Sequence, residues 1–397
     1  MPATLTTVSA LTKEIYEGQI VSQLQDEAVG YKRIESSSRG VSSDVGGKYV
    51  TFPIRVQRNA GIGYRNELEA LPTAGQQGYA SVRIALSYGY GRVSLSGQTI
   101  RLVESNPAAF ANAMREEMDG LKNDVAKDVS RIFYGDKRGV LATVTADGSN
   151  TVTVADAQYL EVGQQIDILD STGATPKVSN RQITAITPGT YPAATITYSG
   201  ADGTAVSTDI IVRTGNYGRE ANGLASIVSD TGALFNVDPA TQPKWAAVNN
   251  NNSGSNRALS EGLMINVTDT VRVNGGKTSL ILTSLGVRRA YFNLLTQQRR
   301  YVNTQQFAGG LTGLAFNNGR EIPVVEDVDA PKNKMWFLEE DSFKIYREAP
   351  WSFMDEDNAI WKYVNGYDQY EAVLYQYWEL GINSRNKQGV LKDITEG

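Results

Sequence analysis

The residues of this chain best able to do chemistry are carboxylates, and they come in short runs: Glu326-Asp327-Val-Asp329, Glu339-Glu-Asp341 and Asp355-Glu-Asp-Asn358. Such runs could gather a hard cation through oxygen, and two carboxyls at the right separation could share acid and base roles in glycoside hydrolysis. Neither pattern is complete. Asp355-Glu-Asp-Asn358 lacks the glycine and closing glutamate of a calcium loop, and nothing pairs one run with another. All three are expected to be solvated turns. Asn274-Gly-Gly-Lys-Thr-Ser279 ends like a phosphate loop, but Val271 stands where the first glycine is needed and the residues upstream are patterned as helix. A helix-to-strand turn is the better expectation. Gly61-Ile-Gly63 and Gly89-Tyr-Gly91 lack the third glycine of a dinucleotide fingerprint and suit bulges or close backbone approaches.

Two absences narrow the chemistry further. Among 397 residues there is neither Cys nor His. That removes thiol nucleophiles, disulfides, thiolate and imidazole metal ligands, and the imidazole of a Ser-His-Asp triad. No catalytic residue, cofactor or metal is expected. The remaining charge signal is a set of arginines, Arg55, Arg58, Arg65, Arg83 and Arg92, on one stretch of a chain whose net charge is −5. An acidic chain is poorly suited to holding nucleic-acid phosphates on a broad basic face. No run of about 18 apolar residues is long enough to cross a membrane. Nor does the N-terminus show a basic region followed by an apolar core, so no secretory signal is expected.

The arginines sit among two alternating segments. Val50, Phe52, Ile54 and Val56 alternate with Tyr49, Thr51, Arg55 and Gln57; Ala80, Val82, Ile84, Leu86, Tyr88 and Tyr90 alternate with Ser81, Arg83 and Ser87. Period two predicts half-buried strands, each roughly 35 Å long at about 3.3 Å per residue. A loose tip from Asn59 to Gly78 joins them into a long hairpin. Such a hairpin is marginal alone. Its apolar face must lie on the chain's own sheet or on a neighbouring subunit.

A helix follows from Pro107 to Tyr134. Asn106 can cap it and Pro107 suits its first position. Phe110, Met114, Met118, Leu121, Val125, Val129 and Ile132 share one face, and Arg115, Glu116, Asp119, Lys122, Asp124, Lys127 and Asp128 take the others. Gly135 is expected to end it in the left-handed conformation. Earlier, residues 9–30 read as an amphipathic helix and Ser36 to Gly47 as a linker. From Gly139 to Gly218, short β segments recur about every ten residues with turns such as Asp147-Gly148, the pattern of a small barrel or sandwich. Residues 219–330 look α/β, with a helix over Leu259 to Val273, a strand over Thr278 to Leu282, a helix capped by Ser284 and a strand over Glu321 to Val325. The last part is aromatic and strand-like. Its segment Tyr370 to Leu380 is long enough for a central strand buried on both faces.

This order of parts, an N-terminal helix, a long hairpin, a long helix and an α/β body with aromatic strands, resembles the major capsid proteins of tailed bacteriophages. Those proteins share the Hong Kong 97 phage capsid fold. Local sequence carries the likeness over nearly the whole chain: Gly218-Arg-Glu-Ala-Asn-Gly-Leu-Ala-Ser-Ile-Val228, Thr283-Ser-Leu-Gly-Val-Arg-Arg-Ala-Tyr-Phe-Asn-Leu-Leu295, Gly319-Arg-Glu-Ile-Pro-Val-Val-Glu-Asp327 and Leu380-Gly-Ile-Asn-Ser-Arg-Asn-Lys-Gln-Gly-Val-Leu391. The resemblance implies an α+β fold. Residues 1–45 would be the N-terminal arm, 46–100 the extended β-hairpin loop, and 101–138 the peripheral domain with its spine helix. Residues 139–218 would be an inserted β-barrel-like domain, 219–330 the axial domain, and 331–397 the return to the peripheral domain and the C-terminal strand.

The implied function is structural, not enzymatic: self-assembly into pentamers and hexamers that close an icosahedral shell around double-stranded DNA. The shell would belong to a virion assembled in the host bacterial cytoplasm. A portal, a separate scaffolding protein and decoration proteins are the implied partners, without a membrane. The arginines Arg55, Arg58, Arg65, Arg83 and Arg92 would then face acidic patches on neighbours such as Glu116, Glu117 or Asp119. Members that crosslink covalently use a lysine in the extended loop. Here the loop's single lysine, Lys48, lies at its base, so no crosslink is expected. An encapsulin-type nanocompartment, a tail or fibre component and a carboxylate enzyme are the alternatives. Protein cargo, trimers or rings, and turnover would respectively mark them.

Overall fold

The computed structural model describes residues 29–37, 41–42, 49–98, 107–190, 192–200, 204–297, 305–306, 312–317, 321–355 and 360–397. Most of the helix expected over 9–30 lies outside them. Its last two residues instead begin a helix, Val29–Ser36, that runs on into the expected linker. Gly30 permits its docking, since a Cβ there would come within 2.6 Å of the Tyr134 hydroxyl and 2.8 Å of the Phe133 ring.

The strands β1 (Val41–Ser42), β2 (Val50–Gln57), β3 (Gly78–Ile84) and β4 (Ser87–Ser96) come next. The hairpin pairs Val50 with Ile84 and Ile54 with Ala80. It is shorter than expected, because the segment from Ala80 to Tyr90 is two strands and not one. After Ile84 the chain leaves the hairpin, and β4 pairs elsewhere. Alternation reports which face is buried and not which strand is the partner, so the break left no trace in the pattern. Each hairpin strand spans roughly 25 Å. Its apolar face also lies on the chain's own core: Val82 and Ile84 are fully buried, and Val50, Phe52, Ile54 and Ala80 pack beside them.

The long helix runs Pro107–Tyr134, with the ends expected. Its expected cap, Asn106, lies outside the described residues. Its termination differs. Gly135 is not left-handed; its N–H donates to the Ile132 carbonyl at 2.9 Å, and positive φ comes later, at Lys137 (73°) and Gly139 (74°). The reason is crowding. Gly223, on the chain returning to this helix end, lies so close that a Cβ on it would meet the Ile132 and Phe133 carbonyls. Leu121 and Val125 press the helix onto β4 at Gly91, where a Cβ would stand 3.1 Å from Leu121 Cδ1. Gly91 is thus one of the close approaches anticipated for glycines in this strand.

Next, β5 (Val140–Asp147), β6 (Thr151–Val154), β7 (Gln165–Leu169), β8 (Pro176–Pro188), β9 (Ala194–Tyr198) and β10 (Ile210–Arg213) close into an antiparallel barrel ordered β10-β5-β6-β9-β8-β7. Alternate residues fill it. Val144, Val152, Val154, Ile166, Ile168, Ile183, Ile196 and Ile211 form a core separate from that of the body.

The rest of the chain builds two open sheets from β11 (Val248–Asn250), β12 (Leu280–Thr283), β13 (Gln305–Gln306), β14 (Thr312–Asn317), β15 (Glu321–Glu326), β16 (Met335–Leu338), β17 (Phe343–Arg347), β18 (Ser352–Phe353), β19 (Lys362–Tyr363), β20 (Gln369–Ile382) and β21 (Gly389–Leu391). One is ordered β11-β21-β16-β12-β15-β14-β13 and carries the helices Glu261–Val273 and Leu285–Gln297. Ser260 caps the first and Ser284 the second, accepting from the Leu263 and Val287 N–H groups. Gly275, at φ 84°, turns the chain from the first helix towards β12, so Asn274–Ser279 is the expected turn.

The other sheet is organised on β20, which pairs with β4, β17, β18 and β19. Only its C-terminal part, Trp378 to Ile382, is buried on both faces; earlier residues alternate. The hairpin explains the difference. At Gly381 a Cβ would come within 2.6 Å of Ile84 Cδ1, so β3 covers this end of the sheet and leaves the other end open. Leu380, Ile382, Val129, Phe133, Leu282 and Trp336 join both sheets and the long helix in one core.

Candidate assembly surfaces

Two of the three acidic runs are not solvated turns, contrary to expectation. Asp327 is only 2% exposed, and its carboxylate accepts from the Gly30 N–H at 2.9 Å and the Tyr134 hydroxyl at 2.8 Å. Asp329 accepts from the Tyr159 hydroxyl at 3.1 Å, and burial raises its pKa. Glu340 binds Arg33 at 2.7 Å and Ser279 at 2.8 Å, while Glu339 takes Lys387 at 3.3 Å and the Lys277 N–H. Each carboxylate joins distant segments, which is a structural task that spacing alone could not reveal. The third run lies outside the described residues from position 356 to position 359, and only Asp355 of it is described. Among the described residues, no group of three or more carboxylates is arranged to hold a metal ion.

A second polar set, buried at Arg131 and Glu220, lies where the barrel leaves and rejoins the body. Arg131 contacts Asp128 at 3.0 Å and forms a short pair with Glu220, and Arg213 of β10 reaches Asp128 at 2.7 Å. Burial pushes the Asp128 pKa up, but Arg131 and Arg213 outweigh it and hold the carboxyl below its ordinary value. Nearby, Glu379 is fully buried in β20. It accepts from the Asn222 backbone N–H at 2.6 Å and from the Ser87 hydroxyl at 3.0 Å. Burial raises its pKa to about 7, against the lowering effects of Asn222, Lys137 and Ser87.

The most exposed large apolar side chains are concentrated beyond the hairpin. Residues 58–77 form a tongue with Tyr64 98%, Leu68 101%, Leu71 86% and Ile62 83% exposed. The tongue is nevertheless braced. Asn59 donates to the Gly75 carbonyl at 3.0 Å, Arg65 to the Ala70 carbonyl at 2.9 Å, and Asn66 to the Glu69 carboxylate at 2.9 Å. At its tip Leu68 is held at φ 66°, which is costly for a branched side chain. A second open area is the uncovered face of the β20 sheet. Tyr88 packs edge-on against Tyr377 at 5.0 Å, and Tyr375 and Tyr90 lie beside them.

The five arginines do not form one set. All are exposed. Arg65 is committed to its own tongue, and Arg92 lies 3.5 Å from Glu371 of the adjacent strand. Arg55 and Arg58 line a groove with Lys244 and Trp245, residues that the sequence did not single out. Arg83 is on neither of these surfaces. Of the carboxylates, Glu117 is exposed, Asp119 pairs with Lys122 at 3.3 Å, and the Glu116 side chain is outside the described ones.

The fold and its outward-facing surfaces define the class. The chain is similar to the capsid asymmetric unit of cyanophage A-1(L), with a TM-score of 0.62 at 16% identity over 99% of this chain and 100% of that one. It is similar also to the capsid of the native GTA particle (TM-score 0.51, 9% identity, 99% of each chain covered). The holo-SrpI encapsulin complex from Synechococcus elongatus PCC 7942 gives a TM-score of 0.50 at 9% identity, with 100% of this chain and 97% of that one covered. These likenesses show a capsid-type fold of mixed helices and sheets. No curated protein matches the chain. Residues 195–395, just over half of the chain, match the SU10 major capsid protein family, and the chain belongs to that family. The expected kinship with tailed-phage major capsid proteins is therefore borne out.

Proposed function

We propose that this capsid protein forms pentamers and hexamers that close an icosahedral shell around double-stranded DNA. The observation that carries the reading is the tongue. It is braced by its own hydrogen bonds, yet it leaves four large apolar side chains almost wholly exposed. A patch of that kind is ordinarily a binding surface. At about 25 cal/mol per Å² of apolar area, covering it on a neighbour contributes several kcal/mol per subunit. Head-to-tail contacts of this sort close rings when the rotation allows.

In this reading residues 46–100 are the extended loop, 101–138 and 331–397 the peripheral domain, 219–330 the axial domain and 139–218 an inserted domain. Residues 1–45 are the N-terminal arm. Glu117 and Asp119 on the long helix supply negative charge to a neighbour's arginines, among them Arg83. A portal and a separate scaffolding protein complete assembly in the host cytoplasm.

Electron microscopy of the expressed full-length chain, alone and with its scaffolding protein, tests the proposal. Closed icosahedral particles enclosing nuclease-protected DNA in infected cells are expected. Rings, trimers or monomers under both conditions would refute it, and so would particles that hold a protein cargo in place of DNA.

A further inference from the structure

The groove at the outer end of β2 is about 530 Å³, with Arg55 and Arg58 on one side, Lys244 and Trp245 on another, and the turn at Val273 and Asn274 closing it. Among the described residues no carboxylate lines it, and Arg55, Arg58 and Lys244 have no acidic partner. Three unpaired cations around one concavity, in a chain of net charge −5, make a site for a carboxylate-bearing ligand. The groove also offers apolar contact from the 86% exposed Val273, with Trp245 buried beneath it at 2% exposure.

The tongue tip has the complementary chemistry. Its turn Asn66–Glu69 presents Glu67 free beside the fully exposed Leu68, while Glu69 is already taken by Asn66. Glu67 lies nine residues beyond Arg58 along a braced, extended tongue, so roughly 25 Å separates them. The tip therefore cannot fold back into its own groove. We propose that the groove of Arg55, Arg58 and Lys244 receives the Glu67–Leu68 tip of a second copy, fixing the register between successive subunits. This rests on the shell reading and adds the receiving site. A DNA backbone suits the groove less well, because phosphate binding favours a long basic track and not a compact pocket.

The chain contains no cysteine, so an introduced pair can report only on itself. The variant Arg58→Cys with Glu67→Cys should give a ladder of disulfide-linked multimers on non-reducing gels of assembled particles. The two sites are too far apart in one chain to bridge. Either cysteine alone should run as monomer. Intact shells from the double variant without a ladder would overturn the proposal. In parallel, Arg58→Glu and Glu67→Arg should each lower particle yield at least tenfold while the subunit melts as wild type does, and the combined swap should restore it. Rescue of Arg58→Glu by Glu117→Arg in place of Glu67→Arg would move the contact to the long helix and refute the tip as occupant. Normal shells that fail to retain DNA would assign the groove to phosphate and refute it equally. Failure of the wild-type chain to form shells sinks the shell reading itself, and is thereby distinct from these results.

Discussion

The barrel and the tongue are both β-derived excursions from the same body, and they treat apolar surface in opposite ways. The barrel closes six strands on one another, leaves no sheet edge, and buries Ile166, Ile168, Val152 and Ile211 completely. The tongue hydrogen-bonds its own backbone but leaves Ile62, Tyr64, Leu68 and Leu71 in water. Its two-stranded base cannot enclose a core, because a single hairpin has only one inner face and that face, through Val82 and Ile84, is already packed on the core of the body. The comparison teaches that one module is complete within the subunit, whereas the other, on the function proposed above, becomes complete only in an assembly.

The largest expected effect comes from removing what the tongue holds out. Replacing Ile62, Tyr64, Leu68 and Leu71 with serine should abolish particles while shifting the subunit's melting temperature by no more than a few degrees, since each exposed side chain changes stability by less than roughly 0.5 kcal/mol. Particle counts by electron microscopy and a melt of the unassembled subunit measure the two halves. Wild-type particle yield would erase the contrast between the modules.

Next in size is the joint between barrel and body. Arg131→Met leaves the buried Glu220 without its cation and Asp128 with Arg213 alone, and removing one partner of a buried pair typically costs about 3–5 kcal/mol. Because the barrel core is separate, calorimetry should resolve a second, barrel-specific transition once the joint is broken. A single cooperative transition, merely shifted downward, would show that the barrel is not complete in itself. Ile168→Ala then tests the barrel from within. It should cost about 2–4 kcal/mol through the cavity it leaves, and lower that same transition without affecting the tongue's function.

The sequence announced these modules unequally, for physical reasons. The long helix was legible to the residue because Pro107 and the apolar stripe through Val125 and Ile132 are local signals. The barrel strands were legible because each is short, alternating and bounded by turns. The break between Ile84 and Ser87 was not, since β3 and β4 keep the same alternation while changing partners. Nor was the burial of Asp327 or the pairing of Glu340, whose partners Tyr134, Gly30, Arg33 and Ser279 come from far along the chain. The arginines were visible as a composition bias. The groove was not, because Lys244 meets Arg55 and Arg58 only through the tertiary fold.

The smallest effect lies at Glu379, which joins the start of β4 to the chain returning from the barrel through Ser87 and Asn222. Its pKa is raised from 4.5 to about 7, chiefly by burial. The folded state therefore holds a proton that the unfolded chain has released between those values. This contribution to stability is fully present below about pH 4.5, declines as pH rises towards 7, and is constant above that. A shift of this size is worth on the order of 1–3 kcal/mol. Glu379→Gln keeps the shape, still accepts from Asn222, and cannot ionise. Its melting temperature should fall less than that of wild type between pH 5 and 7, with near-equality at pH 5. Parallel profiles for the two proteins would mean that the carboxyl is already ionised in the fold. The polar seam between barrel and body would then be held as a charged network throughout, and the barrel's independence would have to come from its closed sheet alone.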